Sequence, residues 1–210
     1  MKFKSLLLFL FLTGFVSAQA PKDETQEYII HLDKSAWTYT FEIFSSEECL
    51  AYFHNPFYSS TVTVSNYQDG AILAQGSYEY ELPRKRRIVR NRDEQEIAFI
   101  EKAKREDKPY IKIYDPQNQL IALAEGRRFD FVIYNPENPK DIYARIGKPS
   151  EGVYGLEWPL SIQNSEVANF TLVAILANGW LTEQFDNFFS KNKDLERSIL
   201  WDRAARSLRP

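Results

Sequence analysis

The sequence predicts a mainly β domain in which an antiparallel sheet closes around one apolar helix near the C-terminus. Three observations carry this. Segments that alternate apolar and polar residues with period two recur from Tyr28 to Ile146. Turn-forming clusters separate them: Gln68-Asp69-Gly70, Asp115-Pro116-Gln117-Asn118, Asn135-Pro136-Glu137-Asn138-Pro139 and Gly147-Lys148-Pro149. The third observation is Val167–Thr182, sixteen residues without a charge. A helix apolar on all sides has to be buried, and this run is shorter than the roughly 20 residues that span a bilayer. The interior of a closed sheet would hold it.

Residues 1–20 read as a secretory signal. Lys2 and Lys4 supply the charged start, Leu6–Phe15 the apolar centre, and Val16-Ser17-Ala18 or Ala18-Gln19-Ala20 a small-residue cleavage site. The expected location is therefore exported, periplasmic or extracellular, with no transmembrane span after the signal is removed. Residues 21–189 make one domain of a size that supports a sizeable core. Residues 190–210 form a net-basic tail in which Leu200, Trp201, Ala204, Ala205 and Leu208 fall at helical spacing, predicting a short amphipathic helix.

Within the domain, strands are expected at Tyr28–Leu32, Trp37–Phe44, Thr61–Ser65, Tyr78–Leu82, Tyr110–Tyr114, Leu120–Ala124, Phe129–Tyr134 and Ile142–Ile146. Short strands with regular turns fit either a barrel or a sandwich. A weak repeat relates Tyr67–Leu82 to Tyr114–Ile133: each has a polar turn, a Leu-Ala-Gln/Glu-Gly segment and an alternating strand. One cover helix is expected after Asn91. Asn91 would cap it, Asp93, Glu94 and Glu96 would occupy its first turns, and Lys102, Lys104 and Arg105 would load its end before Pro109.

Catalytic chemistry is hard to find. Cys49 is alone, which excludes an intramolecular disulfide. The two histidines, His31 and His54, belong to no metal-binding motif, and no nucleophile elbow or phosphate-cradling loop occurs. Asp130 and Glu157 have no context that would make them acids in a reaction. The expectation is no enzyme activity, no cofactor and no metal. Removal of Lys2 and Lys4 takes the formal charge from −3 to −5, so nucleic acid is not an expected partner.

The candidate binding residues are Arg84, Lys85, Arg86, Arg87 and Arg90, the densest positive charge in the chain. Such a row suits anionic lipid or another polyanion, and it also fits a furin-type processing site. The simpler reading is a solvated rim balanced by Glu79, Glu81, Asp93 and Glu94. Asn169-Phe170-Thr171 is a formal glycosylation sequon inside a run expected to be buried.

The order of alternating strands, Trp158-Pro159-Leu160-Ser161-Ile162, the apolar Phe170–Leu181 and the acidic-aromatic Glu183–Phe189 resembles the C-terminal part of the Tubby-like superfamily. That superfamily includes phospholipid scramblases and LURP-one-related proteins. The segment Ile111–Tyr134 is similar to their repeated strand pairs. The resemblance implies a closed antiparallel barrel of about twelve strands around a central hydrophobic C-terminal helix. It also implies phosphoinositide binding, a Tubby property, at the Arg84–Arg87 row, with another anionic lipid or a glycan as the ligand of an exported chain. The acylated cysteine cluster and calcium-binding segment of scramblases have no counterpart here, so lipid scrambling is not carried over.

The leading expectation is an exported, non-enzymatic binding module for anionic lipid or another polyanion at a membrane or envelope surface. One alternative is a carrier of small apolar ligands with an open lipocalin-like barrel, in which Phe170–Leu181 lies outside. Another is a hydrolase with an unrecognised site.

Overall fold

The computed structural model describes residues 25–34, 38–56, 61–81, 84–106, 108–152 and 155–191. The expected signal and all but the first residues of the basic tail lie outside the described residues. The described residues form a closed antiparallel barrel with one helix. Strands β1 (Gln26–Lys34), β2 (Thr38–Ser45), β3 (Glu48–Pro56), β4 (Val62–Asn66), β5 (Ile72–Glu81) and β6 (Arg84–Asn91) make the first half. Strands β7 (Glu96–Arg105), β8 (Lys108–Tyr114), β9 (Leu120–Gly126), β10 (Phe131–Tyr134), β11 (Ile142–Ile146), β12 (Ser150–Gly152) and β13 (Gly155–Ile162) make the second. Helix α1 runs Phe170–Lys191.

Each strand from β1 to β11 pairs with its sequence neighbour, and β13 joins β11 to β1. Closure leaves no free edge among these strands. The short β12 is not a further barrel position. β11 pairs with the C-terminal half of β13, matching Ile146 to Leu160, and β12 pairs with its N-terminal half, matching Ser150 to Glu157. Both occupy one edge of β13, interrupted at Gly147, whose N–H donates to the Pro159 carbonyl at 2.8 Å. The barrel therefore has twelve strand positions.

Five register shifts lie between Ile43/Phe44, Val64/Ser65, Val89/Arg90, Ile113/Tyr114 and Ile133/Tyr134. Each sits next to the turn of its hairpin, and all five turns lie at one end of the barrel. An extra residue on one strand increases local twist and bends it. A ring of such shifts tightens the sheet into a closed wall.

Inward-facing residues differ in size around this wall. Phe41, Phe53 and Trp158 fill one side, with Phe41 stacked on Phe53 at 5.0 Å and edge-on to Trp158 at 6.2 Å. The other side carries Ala74, Gly76, Ala98, Ala122, Ala124, Gly126 and Ala144. The missing side-chain volume is taken by α1. Every residue from Leu172 to Asn178 is buried. At 100° per residue, seven consecutive positions cover every face of a helix, so α1 is enclosed on all sides. It enters at the end with the five register shifts, where Phe170 packs on Tyr28 of β1 at 5.8 Å. It leaves at the opposite end between β6 and β10.

Three expectations are corrected. The cover helix over Asn91–Arg105 is instead the turn and second strand of the β6–β7 hairpin. The Asn91 side-chain oxygen accepts from the N–H groups of Asp93 and Gln95, and Glu94 adopts a φ of +60°, a left-handed conformation that stops a helix. From there β7 pairs with β6 and β8 on its two edges. Ala98 and Ile100 face inward while Phe99 and Glu101 face outward, so the apolar positions fit a strand once sheet pairing decides. Secondly, the expected strand Tyr78–Leu82 is not separate as far as it is described, because Tyr78–Glu81 continues the preceding Leu-Ala-Gln-Gly segment in β5. Thirdly, Asn169 is exposed rather than buried. It caps α1, its side-chain oxygen accepting from the Leu172 N–H at 2.9 Å.

Candidate functional site

The predicted basic row does not converge on one surface. Alternation along β6 sends Arg87 and Val89 inward and Arg86 and Arg90 outward. Arg90 pairs with Glu96 at 2.9 Å. Arg86 donates to the Asn118 side chain at 2.9 Å, lies 3.9 Å from a Glu101 oxygen and covers the Tyr114 ring at 5.3 Å. Backbone register places Arg84 opposite Glu81 and Lys85 opposite Tyr80. Arg86 and Arg90, on the outer face, are thus both engaged by neighbouring side chains.

Arg87 behaves differently because the wall beside it lacks a side chain. Its stem crosses Gly76, where an added Cβ would lie 3.2 Å from Arg87 Cδ. The guanidinium then reaches the helix, donating from Nη1 to the Ile175 carbonyl oxygen at 3.3 Å. At this end of the barrel α1 no longer fills the interior. A cleft of about 480 Å³ opens between the helix and strands β6 to β10. That volume lies within the range of pockets for drug-sized ligands, roughly 300–1,000 Å³.

The walls of the cleft are of two kinds. Ile100, Ile111, Phe131 and Leu176 make an apolar side. Arg87, Lys102, Glu125, Asn178 and Glu183 supply polar groups. Glu125 is paired with Arg127, and Arg87, Lys102 and Glu183 also border the cleft. Trp180 closes the floor: its indole N–H donates to the Arg127 carbonyl at 2.9 Å, and its ring packs over Gly126 and tilts against Phe131 at 6.0 Å. Gly179 borders the opening, and a Cβ there would meet nothing within 4 Å.

A second cleft of about 570 Å³ lies on the outer face near the opposite end, lined by Ile29, His31, Glu42, Phe44, Ser46, Glu47 and Glu157. His31 Nδ1 lies 3.2 Å from a Glu42 oxygen, and its strand register sets it across from Glu157. No group of three metal-binding side chains exists among the described residues. Cys49 lies nearby on β3. Burial, and then the Glu42 charge, push its thiol up to about 11, so it is held as a neutral thiol. Asp130 is engaged by Arg145 at 2.8 Å.

Sequence reasoning picked out Arg87 but missed Lys102, Asn178 and Trp180. Two signals pointed at the site. The repeated Leu-Ala-Gln/Glu-Gly segments put Gly76 and Gly126 against α1, and Asn178-Gly179 interrupts an otherwise apolar helix. No helix among the described residues is long and apolar enough to cross a membrane.

No protein-family model matches the chain, and no curated protein matches it in sequence. Among solved structures, an X-ray structure of a protein from Arabidopsis thaliana superposes with a TM-score of 0.49 at 9% identity, over 77% of this chain and 91% of that one.

Proposed function

We propose that this chain is a non-enzymatic binding module of Tubby-like type that captures an anionic amphiphile in the cleft between α1 and strands β6 to β10. It acts at a membrane or envelope surface after export. The observation that carries this reading is the pairing of Arg87 and Lys102 with an apolar wall where the helix stops filling the barrel. The apolar wall takes a chain and the cations take a head. An open lipocalin-like barrel would need the apolar run outside, whereas Leu172–Asn178 is enclosed.

Titration calorimetry with dodecyl phosphate and with dodecyl maltoside, both below micelle formation, tests the reading. Binding of the phosphate and not of the maltoside is expected. Arg87→Gln with Lys102→Gln should remove it, while neutralising Arg84, Lys85, Arg86 and Arg90 together should leave it. Gly179→Leu projects a side chain into the cleft without touching the core, and it improves helix propensity by up to about 1 kcal/mol. That variant should keep its melting temperature and lose binding. Equal binding of both amphiphiles, or binding undiminished in Gly179→Leu, would discard the cleft as the site.

A further inference from the structure

We infer that the barrel docks on an anionic bilayer by the end where α1 leaves, with Phe129 entering the headgroup layer beside Arg128 and Lys148. This is a second surface next to the cleft, and it stands whether or not the cleft is filled.

Charge is divided along the barrel axis. Each of the five turns at the end with the register shifts carries an acid: Glu47, Asp69, Asp93, Asp115 and Glu137 in chain order. The bases in those turns are Arg92 and Lys140. At the other end, the described turns after β7, β9 and β11, with the strand ends beside them, bring Arg105, Lys108, Arg127, Arg128 and Lys148 against Glu106 and Asp130. Asp130 is buried and held by Arg145 at 2.8 Å. A negative surface attracts this end and repels the opposite one.

The turn after β9 presents an aromatic ring from this basic end. Phe129 is 52% exposed. Arg128 lies over its ring at 4.9 Å and Lys148 at 5.8 Å. Among the described residues, the ion pairs here join Arg127 to Glu125 and Arg145 to Asp130, so Arg128 and Lys148 stand over the ring rather than on carboxylates. The loop is fastened from within. The Arg127 N–H donates to the Asp130 carbonyl at 2.7 Å, and the Trp180 indole N–H donates to the Arg127 carbonyl at 2.9 Å.

A lone exposed phenylalanine is ordinary. One held firmly under two cations, at the basic end of a polarised barrel, has the composition of an interfacial anchor. In such anchors the aromatic ring settles at headgroup depth while Lys and Arg meet anionic lipid. A soluble polyanion would engage the cations but offers no apolar layer for the ring. An anionic bilayer takes both.

Co-sedimentation with vesicles of phosphatidylcholine, with and without phosphatidylglycerol, tests this. Binding to the anionic vesicles alone is expected. Arg128→Gln with Lys148→Gln should weaken it about thirtyfold, the scale of two cations at an anionic surface. Phe129→Ser should weaken it about tenfold, the scale of half-burying a phenylalanine. Leu120→Ser, also exposed but at the acidic end, should bind as the native protein does. All variants should keep the native melting temperature. Phe129→Trp should bind, with its added emission quenched by brominated acyl chains. No binding to anionic vesicles, equal binding to both kinds, undiminished binding in either weakened variant, or no quenching would overturn the docking face. If dextran sulfate binds as tightly and Phe129→Ser has no effect, the partner is a soluble polyanion and the bilayer is overturned. Gly179→Leu, which fills the cleft, should still bind vesicles. If it does not, the cleft alone holds the lipid, so the docking face is overturned and the cleft reading survives.

Discussion

Gly76 of β5 and Ile175 of α1 approach so closely that a Cβ on Gly76 would lie 2.6 Å from Ile175 Cγ2. Real Cβ atoms essentially never come so near another heavy atom, so this glycine seats the helix against the wall. Gly76→Ala should destabilise the protein by about 1–3 kcal/mol through overpacking, and Ile175→Ala by about 2–5 kcal/mol through the cavity it leaves. The double variant should lose less than the sum, because removing Cγ2 makes room for the new methyl. Denaturant unfolding of the four proteins checks the cycle, and strict additivity would contradict the contact.

Gly126 plays the matching role for Trp180, whose ring occupies the space of its missing side chain. Trp180→Phe keeps a ring there but loses the bond to the Arg127 carbonyl, so about 0.5–1.5 kcal/mol should go. Gly126→Ala should displace the indole, seen as a shift in tryptophan emission that Trp180→Phe abolishes.

The β6–β7 turn depends on Asn91 and bears strain at Glu94. Asn91→Ala removes the acceptor for two main-chain N–H groups and should cost about 1 kcal/mol. Glu94→Gly relieves the left-handed conformation and should gain about 0.5–1 kcal/mol. Thermal unfolding should move in opposite directions for the two variants, by about 2–4 °C per kcal/mol in a domain of this size.

The Cys49 thiol should resist alkylation at pH 8 and react as the pH approaches 11. Its folded pKa is raised above the ordinary 9.0, so the neutral form is the one the fold favours. The resulting stability is present in full below pH 9 and is lost as the pH rises towards 11. Compared with Cys49→Ala, the native protein should lose relative melting temperature across that window, and a constant difference would refute the assignment.

The strands were legible wherever one face is apolar and the other polar, as in Thr61–Ser65 and Tyr110–Tyr114. β7 was not, because Ile97, Phe99, Ile100 and Ala103 also fit a helical stripe. Local pattern cannot weigh the two strand partners that β6 and β8 provide. β6 was hidden for another reason, since Arg84–Arg87 carries no alternation of polarity. Its inward Arg87 runs over Gly76, diagonally across the strand pair, where a Cβ would lie 3.2 Å from Arg87 Cδ.

Sequence by itself determined that the chain is mainly β, that most of the apolar run in Val167–Thr182 had to be buried, and that the positive charge gathers at Arg84–Arg90. Those properties follow from transfer out of water and from period, which are local. Tertiary structure alone decided which arginine lines the cleft, that Lys102 joins it from twelve residues beyond Arg90, and that the Asn178 side-chain oxygen is buried. Strand register and the depth at which the helix sits in the barrel fix these, and both are set by contacts between residues far apart in the chain.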